Sequence, residues 1–267
     1  MKVAGRRRLD WLQGSIMHHF RTLAIAATVL LLSSLPTTGD APENVAKFTA
    51  MRAHLVDRII ATIRQTADVT GIAELNPSLI EALREVPRHA FVPEELTAFA
   101  YLDMALPVGH EQNISQPFLV ALMLQLAEIS PGDIVFETGT GAGYQAALLS
   151  RLGAHVYSAE VVAPLADRAA ERLKQLGYPN IEVRHADGFY GWKERAPFDA
   201  ILIKEAIHHV PAPLLNQLRP GGRLVAPVGP LDGSQMLTLI EKGATGEITE
   251  TKLLSVKFSP LQGGERI

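Results

Sequence analysis

The strongest constraint in this chain is a short apolar run that ends in a glycine cluster, Phe136-Glu137-Thr138-Gly139-Thr140-Gly141-Ala142-Gly143-Tyr144. Glycines at 139, 141 and 143 let the backbone turn tightly and approach a ligand where any Cβ would collide. The surrounding pattern places this turn between a strand and a helix. Downstream, apolar runs alternate with helical periodicity: strand 155–160, helix 164–176, strand 181–185, strand 198–203, helix 211–218 and strand 223–228. Alternation of this kind predicts an α/β fold with a parallel, doubly wound sheet and helices on both faces. Two last apolar runs, 236–240 and 251–258, flank Lys242-Gly243-Ala244-Thr245-Gly246 and predict an antiparallel hairpin at one sheet edge.

A doubly wound sheet binds its ligand at the carboxyl ends of its strands, so residues at those ends are the candidate site. Glu137, Gly139, Thr140, Gly141 and Gly143 end the first strand, Glu160 ends the second, and Asp187-Gly188 ends the third. The spacing G-x-G-x-G, followed by Tyr144, departs from the dinucleotide fingerprint G-x-G-x-x-G and counts against NAD. A sulfonium cofactor such as S-adenosylmethionine has no pyrophosphate to seat on a helix N-terminus. It needs close backbone and nearby acids for its methionyl and adenosyl ends. Glu137 is such an acid, Glu160 is placed to accept hydrogen bonds from both ribose hydroxyls, and Asp187-Gly188 is placed at the adenine edge.

Composition narrows the function further. The chain has 267 residues, 47% apolar and 20% charged, which suits one large globular domain with an appendage. A net charge of −3 gives no basic field for a nucleic-acid backbone. The absence of cysteine removes thiol nucleophiles and thiolate metal sites. Adjacent histidines usually point apart, so neither His208-His209 beside Glu205 nor His18-His19 completes a ligand set, and no metal is expected. There is no G-x-S-x-G elbow for a serine hydrolase.

The patterning divides the chain into three segments. Residues 1–41 have an arginine-rich start, the apolar stretch Leu23–Leu32 and a small-residue run, the layout of a secretory or membrane-targeting segment. Residues 42–112 form a helical and substrate-side region. Phe48, Met51, Leu55, Ile59, Ile60 and Ile63 mark its docking helix, Gly71 breaks the pattern, and Asn76-Pro77-Ser78 offers capping chemistry for a second helix. The stretch punctuated by Pro87, Pro93 and Pro107 carries Phe91, Val92, Phe99 and Tyr101, and is expected to pack on the cofactor-binding domain. Residues 113–267 form that domain, starting near Ser115 and a helix over 118–129. Taken alone, Ser115 before Pro117 is also a plausible N-cap for that helix.

From Val86 onward the chain resembles the protein-L-isoaspartate O-methyltransferase family. The segments that carry the resemblance are Val86-Pro-Arg-His-Ala-Phe-Val-Pro-Glu94, Leu106-Pro-Val-Gly-His110, Ile114-Ser-Gln-Pro117, the glycine block through Ala147, Leu218-Arg-Pro-Gly-Gly-Arg-Leu-Val225 and Lys257-Phe-Ser-Pro-Leu261. The resemblance implies a Rossmann-like S-adenosylmethionine-dependent methyltransferase sheet with a C-terminal antiparallel hairpin and an N-terminal helical extension. It implies methyl transfer to the carboxylate of L-isoaspartyl residues in damaged proteins or peptides, which initiates repair, and it places Ser115 at the active site. No nucleic acid and no stable partner chain are expected.

The chain departs from the family pattern in two places. Lys204-Glu205-Ala206-Ile207-His208 replaces a small Thr-Ala-Ala-Ala-Pro-like segment, and Glu111 and Asn113 stand where Gly and Thr are usual. These changes leave two alternatives open: a methyltransferase with a different acceptor, or a cofactor-binding protein with impaired catalysis. Cytoplasmic action is expected, because S-adenosylmethionine is made and recycled there, with export to the periplasm through residues 1–41 as the alternative.

Overall fold

The computed structural model describes residues 42–263; the leader-like segment 1–41 and the last four residues lie outside the described residues. The chain enters on α1 (Pro42–Gln65), α2 (Ala67–Thr70) and α3 (Pro77–Glu85), then passes through two 3-10 turns, Arg88–Phe91 and Glu94–Phe99. A short hairpin, β1 (Leu106–Gly109) and β2 (Gln112–Ile114), leads into α4 (Pro117–Ala127). The sheet then alternates as expected: β3 (Ile134–Thr138), α5 (Tyr144–Arg151), β4 (His155–Glu160), α6 (Ala163–Gln175), β5 (Ile181–His185), β6 (Phe198–Leu202), α7 (Ala212–Gln217), β7 (Leu218–Val228), β8 (Gln235–Lys242) and β9 (Ile248–Val256). No helix among the described residues is long and apolar enough to cross a membrane.

The seven strands lie in the order β5-β4-β3-β6-β7-β8-β9. Strands β3 to β7 pair in parallel, and β8 and β9 close the edge as the expected antiparallel hairpin. Side chains alternate between two apolar faces because successive strand residues point to opposite sides. Val135, Ala200, Leu202 and Val225 join the core under α1, α3, α4 and α5, while Phe136, Ile201, Ile203 and Leu224 join a second core with Trp192 and Leu214. The first core continues without a break through Leu55, Ile59 and Ile63 of α1, so the helical region 42–112 packs into the same body as the sheet.

Two local details differ from the sequence-based expectation. Asn76 stands at the N-cap position of α3 with Pro77 behind it, but its side chain makes no cap bond. Its backbone N–H instead donates to Oε1 of Gln125 at 2.7 Å, tying α3 to α4. In the proline-rich stretch Phe91, Val92 and Tyr101 are buried as expected, whereas Phe99 remains exposed.

The strand order fixes where a ligand can enter. The chain moves outward from β3 to β4 and β5, then returns to the other side of β3 with β6. At that reversal the connections leave in opposite directions, and a crevice opens beyond the carboxyl ends of β3 and β6. Gly139 and Gly141 follow β3, and Lys204 and Glu205 follow β6.

Candidate active site

One cavity spans this crevice. The glycine turn contributes Gly139, Thr140, Gly141 and Ala142, the end of β4 contributes Glu160, and Gly188 stands beyond β5. Facing them are Ser115 and Gln116 ahead of α4, Lys204 and Glu205 after β6, and the closing segment Lys257–Gln262. That segment is held over the site by backbone bonds on either side of Ala206: Ala206 N–H donates to Ser259 O at 2.8 Å, and Leu261 N–H donates to Ala206 O at 2.9 Å.

Glu160 is buried and its two oxygens are oriented by backbone. Oε2 accepts from Gly141 N–H at 2.8 Å and Oε1 from Val162 N–H at 2.9 Å. A carboxylate oxygen has two lone pairs, so each retains one for a ligand hydroxyl. Gly139 and Gly141 both hold φ +57°, a left-handed backbone that side-chain-bearing residues adopt at a cost. A Cβ on Gly188 would stand 2.7 Å from Thr138 Cγ2, so only glycine lets this strand end approach its neighbour.

Three of the expected cofactor residues do not reach the cavity. Glu137 is fully buried behind it. Its carboxylate accepts from Ser158 Oγ–H at 2.8 Å and pairs with the Lys204 ammonium at 3.0 Å, which orients Lys204. Gly143 caps α5, and a Cβ there would meet Leu173 of α6 at 3.1 Å; its glycine serves packing. The Asp187 carboxylate accepts from Phe189 N–H at 2.9 Å and caps the 3-10 turn Gly188–Tyr190, leaving the cavity wall to Gly188. Thr140 does line the cavity, with its hydroxyl 2.6 Å from Ser158 Oγ.

Ser115 also lines the cavity, and it is not the helix cap. Gln116 occupies the N-cap position of α4. The capping acceptor comes from elsewhere: Asp103 Oδ1 accepts from Phe118 N–H at 2.9 Å, and its Oδ2 accepts from Gln116 Nε2 at 3.3 Å. The Ser115 hydroxyl therefore has no hydrogen bond to the described residues, while its carbonyl oxygen accepts from Arg88 Nη2 at 2.9 Å. Arg88 is completely buried, also donates to Ala100 O and Met104 O, and lies over the Tyr144 ring. Burial lowers its pKa and pushes the Tyr144 hydroxyl up to about 12.

Three cavity residues were not singled out as ligand contacts from the sequence. Gln145 is 4% exposed, and neither its Oε1 nor its Nε2 has a hydrogen-bond partner among the described residues. Lys204 lines the cavity at 9% side-chain exposure, its ammonium paired with Glu137. Glu205 accepts from the Thr138 hydroxyl at 2.5 Å, and burial pushes its carboxyl up to about 7. The sequence marked 204 and 205 only as departures that could reshape the pocket. Asn113 likewise lines the cavity; Glu111 does not, and with His110 it forms the two-residue turn of the hairpin, both at positive φ.

A parallel sheet with this strand order, a glycine turn after β3 and a doubly oriented acid after β4 define a Rossmann-like S-adenosylmethionine-dependent methyltransferase. The family model for protein-L-isoaspartate(D-aspartate) O-methyltransferase matches residues 63–266. The chain belongs to that family. A protein-L-isoaspartate O-methyltransferase of Syntrophobacter fumaroxidans is 45% identical over 239 residues, covering 90% of this chain and 97% of that one. One from Gloeobacter violaceus is 48% identical over 184 residues, covering 69% of this chain and 89% of that one. Among solved structures, a protein-L-isoaspartate O-methyltransferase aligns with TM-score 0.67 and 26% identity, over 78% of this chain and 66% of the other. A solved structure from Plasmodium falciparum, in complex with S-adenosyl-L-homocysteine, shares the fold with TM-score 0.65 at 22% identity, over 80% of this chain and 98% of that one.

Proposed function

We propose that this chain transfers a methyl group from S-adenosylmethionine to the side carboxylate of L-isoaspartyl residues in damaged proteins or peptides, the step that initiates their repair. The observation that carries the reading is the placement of Ser115, its hydroxyl unengaged, in the same cavity as Gly141 and Glu160.

The residues present fit an adenosyl donor. Glu160 keeps a lone pair on each oxygen for a ribose diol, and Gly139, Gly141 and Gly188 give close backbone. The Gln145 amide is a buried donor and acceptor without a protein partner, which a polar ligand in the cavity would satisfy. When bound, the donor supplies a methyl group on a sulfonium, already activated for displacement.

The acceptor needs little chemical activation. A side carboxylate with a reference pKa of about 4 is ionised at neutral pH and is its own nucleophile, so no general base is required. The protein's work is to bring one carboxylate oxygen to about 3 Å from the methyl carbon, in line with the departing sulfur, and to keep water out. The Ser115 hydroxyl donates a hydrogen bond that orients the carboxylate without forming a covalent intermediate. Arg88 and Asp103 fix the segment that carries it.

The experiment is methyl transfer from radiolabelled S-adenosylmethionine to matched isoaspartyl and aspartyl peptides. Base-labile label on the isoaspartyl peptide alone is the expected result; equal labelling of both peptides, or binding without transfer, would overturn the reading. Cytoplasmic action accords with the supply of the donor, and cell fractionation with N-terminal sequencing of the natural product tests it against export.

A further inference from the structure

Glu205 is an acid of the cavity wall that holds no cation and no backbone N–H among the described residues. It follows β6 and faces the carboxyl end of β3, across the reversal in strand order. Its carboxylate lies directly on the glycine turn: a Cβ built on Gly139 would fall 1.6 Å from Oε1 and 2.9 Å from Cδ. The Thr138 hydroxyl holds Oε2, which leaves Oε1 without a hydrogen bond to the described residues.

The charges around it do not neutralise it. Lys204, the adjacent cation, favours the ionised form of Glu205, but its ammonium is paired with Glu137 at 3.0 Å and makes no ion pair with Glu205. Glu160 and Glu137 both repel a negative charge at this position, and Lys257 sits exposed in the closing segment at the cavity wall. Burial favours the protonated form of Glu205 in the free protein; the Thr138 hydrogen bond and Lys204 oppose it, the two neighbouring acids add to it, and burial wins.

We propose that Glu205 is the counter-ion for the positively charged methionyl end of the donor, held on the glycine turn so that the donor's cation and a proton compete for it. The inference rests on the donor assignment above. S-adenosylmethionine carries two cations beyond its ribose, the sulfonium and the α-ammonium, and Gly139 separates neither from this carboxylate by a side chain. When the cation arrives, the proton leaves Glu205 for solvent and a charge-assisted contact forms. Donor affinity therefore rises with pH through the range in which free Glu205 ionises, then levels off.

The test is calorimetric affinity of wild type and Glu205→Gln for three ligands: S-adenosylmethionine with both cations, S-adenosylhomocysteine with the ammonium only, and 5′-methylthioadenosine with neither. Loss of one charged contact is expected to weaken S-adenosylmethionine roughly tenfold and leave 5′-methylthioadenosine unchanged. An equal loss for S-adenosylhomocysteine assigns the contact to the ammonium; no loss for it assigns the contact to the sulfonium. Wild-type affinity for S-adenosylmethionine should rise about fivefold from pH 6 to 8 and stay flat in the variant. Glu205→Asp should keep part of the pH dependence, which a purely structural role would not produce. Affinities within twofold of wild type for both charged ligands, or an equal loss for 5′-methylthioadenosine, would overturn the proposal. Failure of wild type to bind any of the three would instead overturn the donor assignment beneath it.

Discussion

Arg88, wholly buried, donates from Nη2 to the carbonyl oxygen of Ser115 at 2.9 Å, across 27 residues of sequence. The same guanidinium holds Ala100 O and reaches Met104 O, so one planar group fixes the path of the chain into the active site. Lysine carries a single nitrogen and cannot reproduce that fork. Arg88→Lys should cost about 3 kcal/mol in stability and lower kcat about tenfold, with S-adenosylhomocysteine affinity little changed. Chemical denaturation, steady-state kinetics and calorimetry measure the three quantities separately.

Ser115→Ala removes a hydroxyl that makes no hydrogen bond to the described residues, so folding should not notice the change. Methyl transfer to an isoaspartyl peptide should fall about a hundredfold through lost orientation of the carboxylate. Thermal melting and product affinity should match wild type. Unchanged turnover would show that the acceptor is positioned by other groups.

Glu160→Gln tests the other end of the donor. The carboxylate accepts from Gly141 N–H and Val162 N–H, and an amide nitrogen cannot accept at one of those positions. S-adenosylhomocysteine and 5′-methylthioadenosine should weaken together, by about tenfold or more, because both share the ribose. That parallel loss distinguishes Glu160 from Glu205.

Gln145→Leu should separate stability from binding. The amide is buried with both polar atoms unpartnered among the described residues, so an apolar replacement of similar size should stabilise the free protein by about 1 kcal/mol. S-adenosylhomocysteine affinity should drop several-fold. A variant that is less stable and binds normally would show that Gln145 serves the core alone.

The stability of the free protein should also report Glu205. Burial raises its carboxyl from 4.5 in the unfolded chain to about 7 in the fold. Below about pH 4.5 both states hold the proton and no penalty exists; as pH climbs to 7 the unfolded state releases it first, and folding loses stability. Above 7 the loss is constant. Because the side chain touches cavity solvent, the loss is about 1–2 kcal/mol between pH 5 and 8. Glu205→Gln should match wild type at pH 5 and melt higher than it at pH 8.

Local pattern made much of this protein legible. Apolar runs of strand length and the glycine block marked the sheet and its turn, and Glu160 and Gly188 lie in the cavity because they end adjacent strands. Pattern is silent on which neighbour a residue meets. Glu137, Gly143 and Asp187 sit at the right strand and helix ends, yet a buried lysine, a packed leucine and a backbone N–H claim them.

Short-range periodicity and backbone stereochemistry were enough for the fold class and the strand ends that face the ligand, while Ser115 was marked by the resemblance to a family and, read alone, was equally a helix cap. Tertiary structure alone decided which distant polar groups meet. Asp103 rather than Ser115 caps α4, Arg88 holds Ser115, and β6 settles beside β3 so that Glu205 reaches Thr138 across 67 residues of sequence. Periodicity records whether a residue is buried. It carries no record of its partner, because partners are chosen by strand order and by the demand that every buried charge or N–H find a complement.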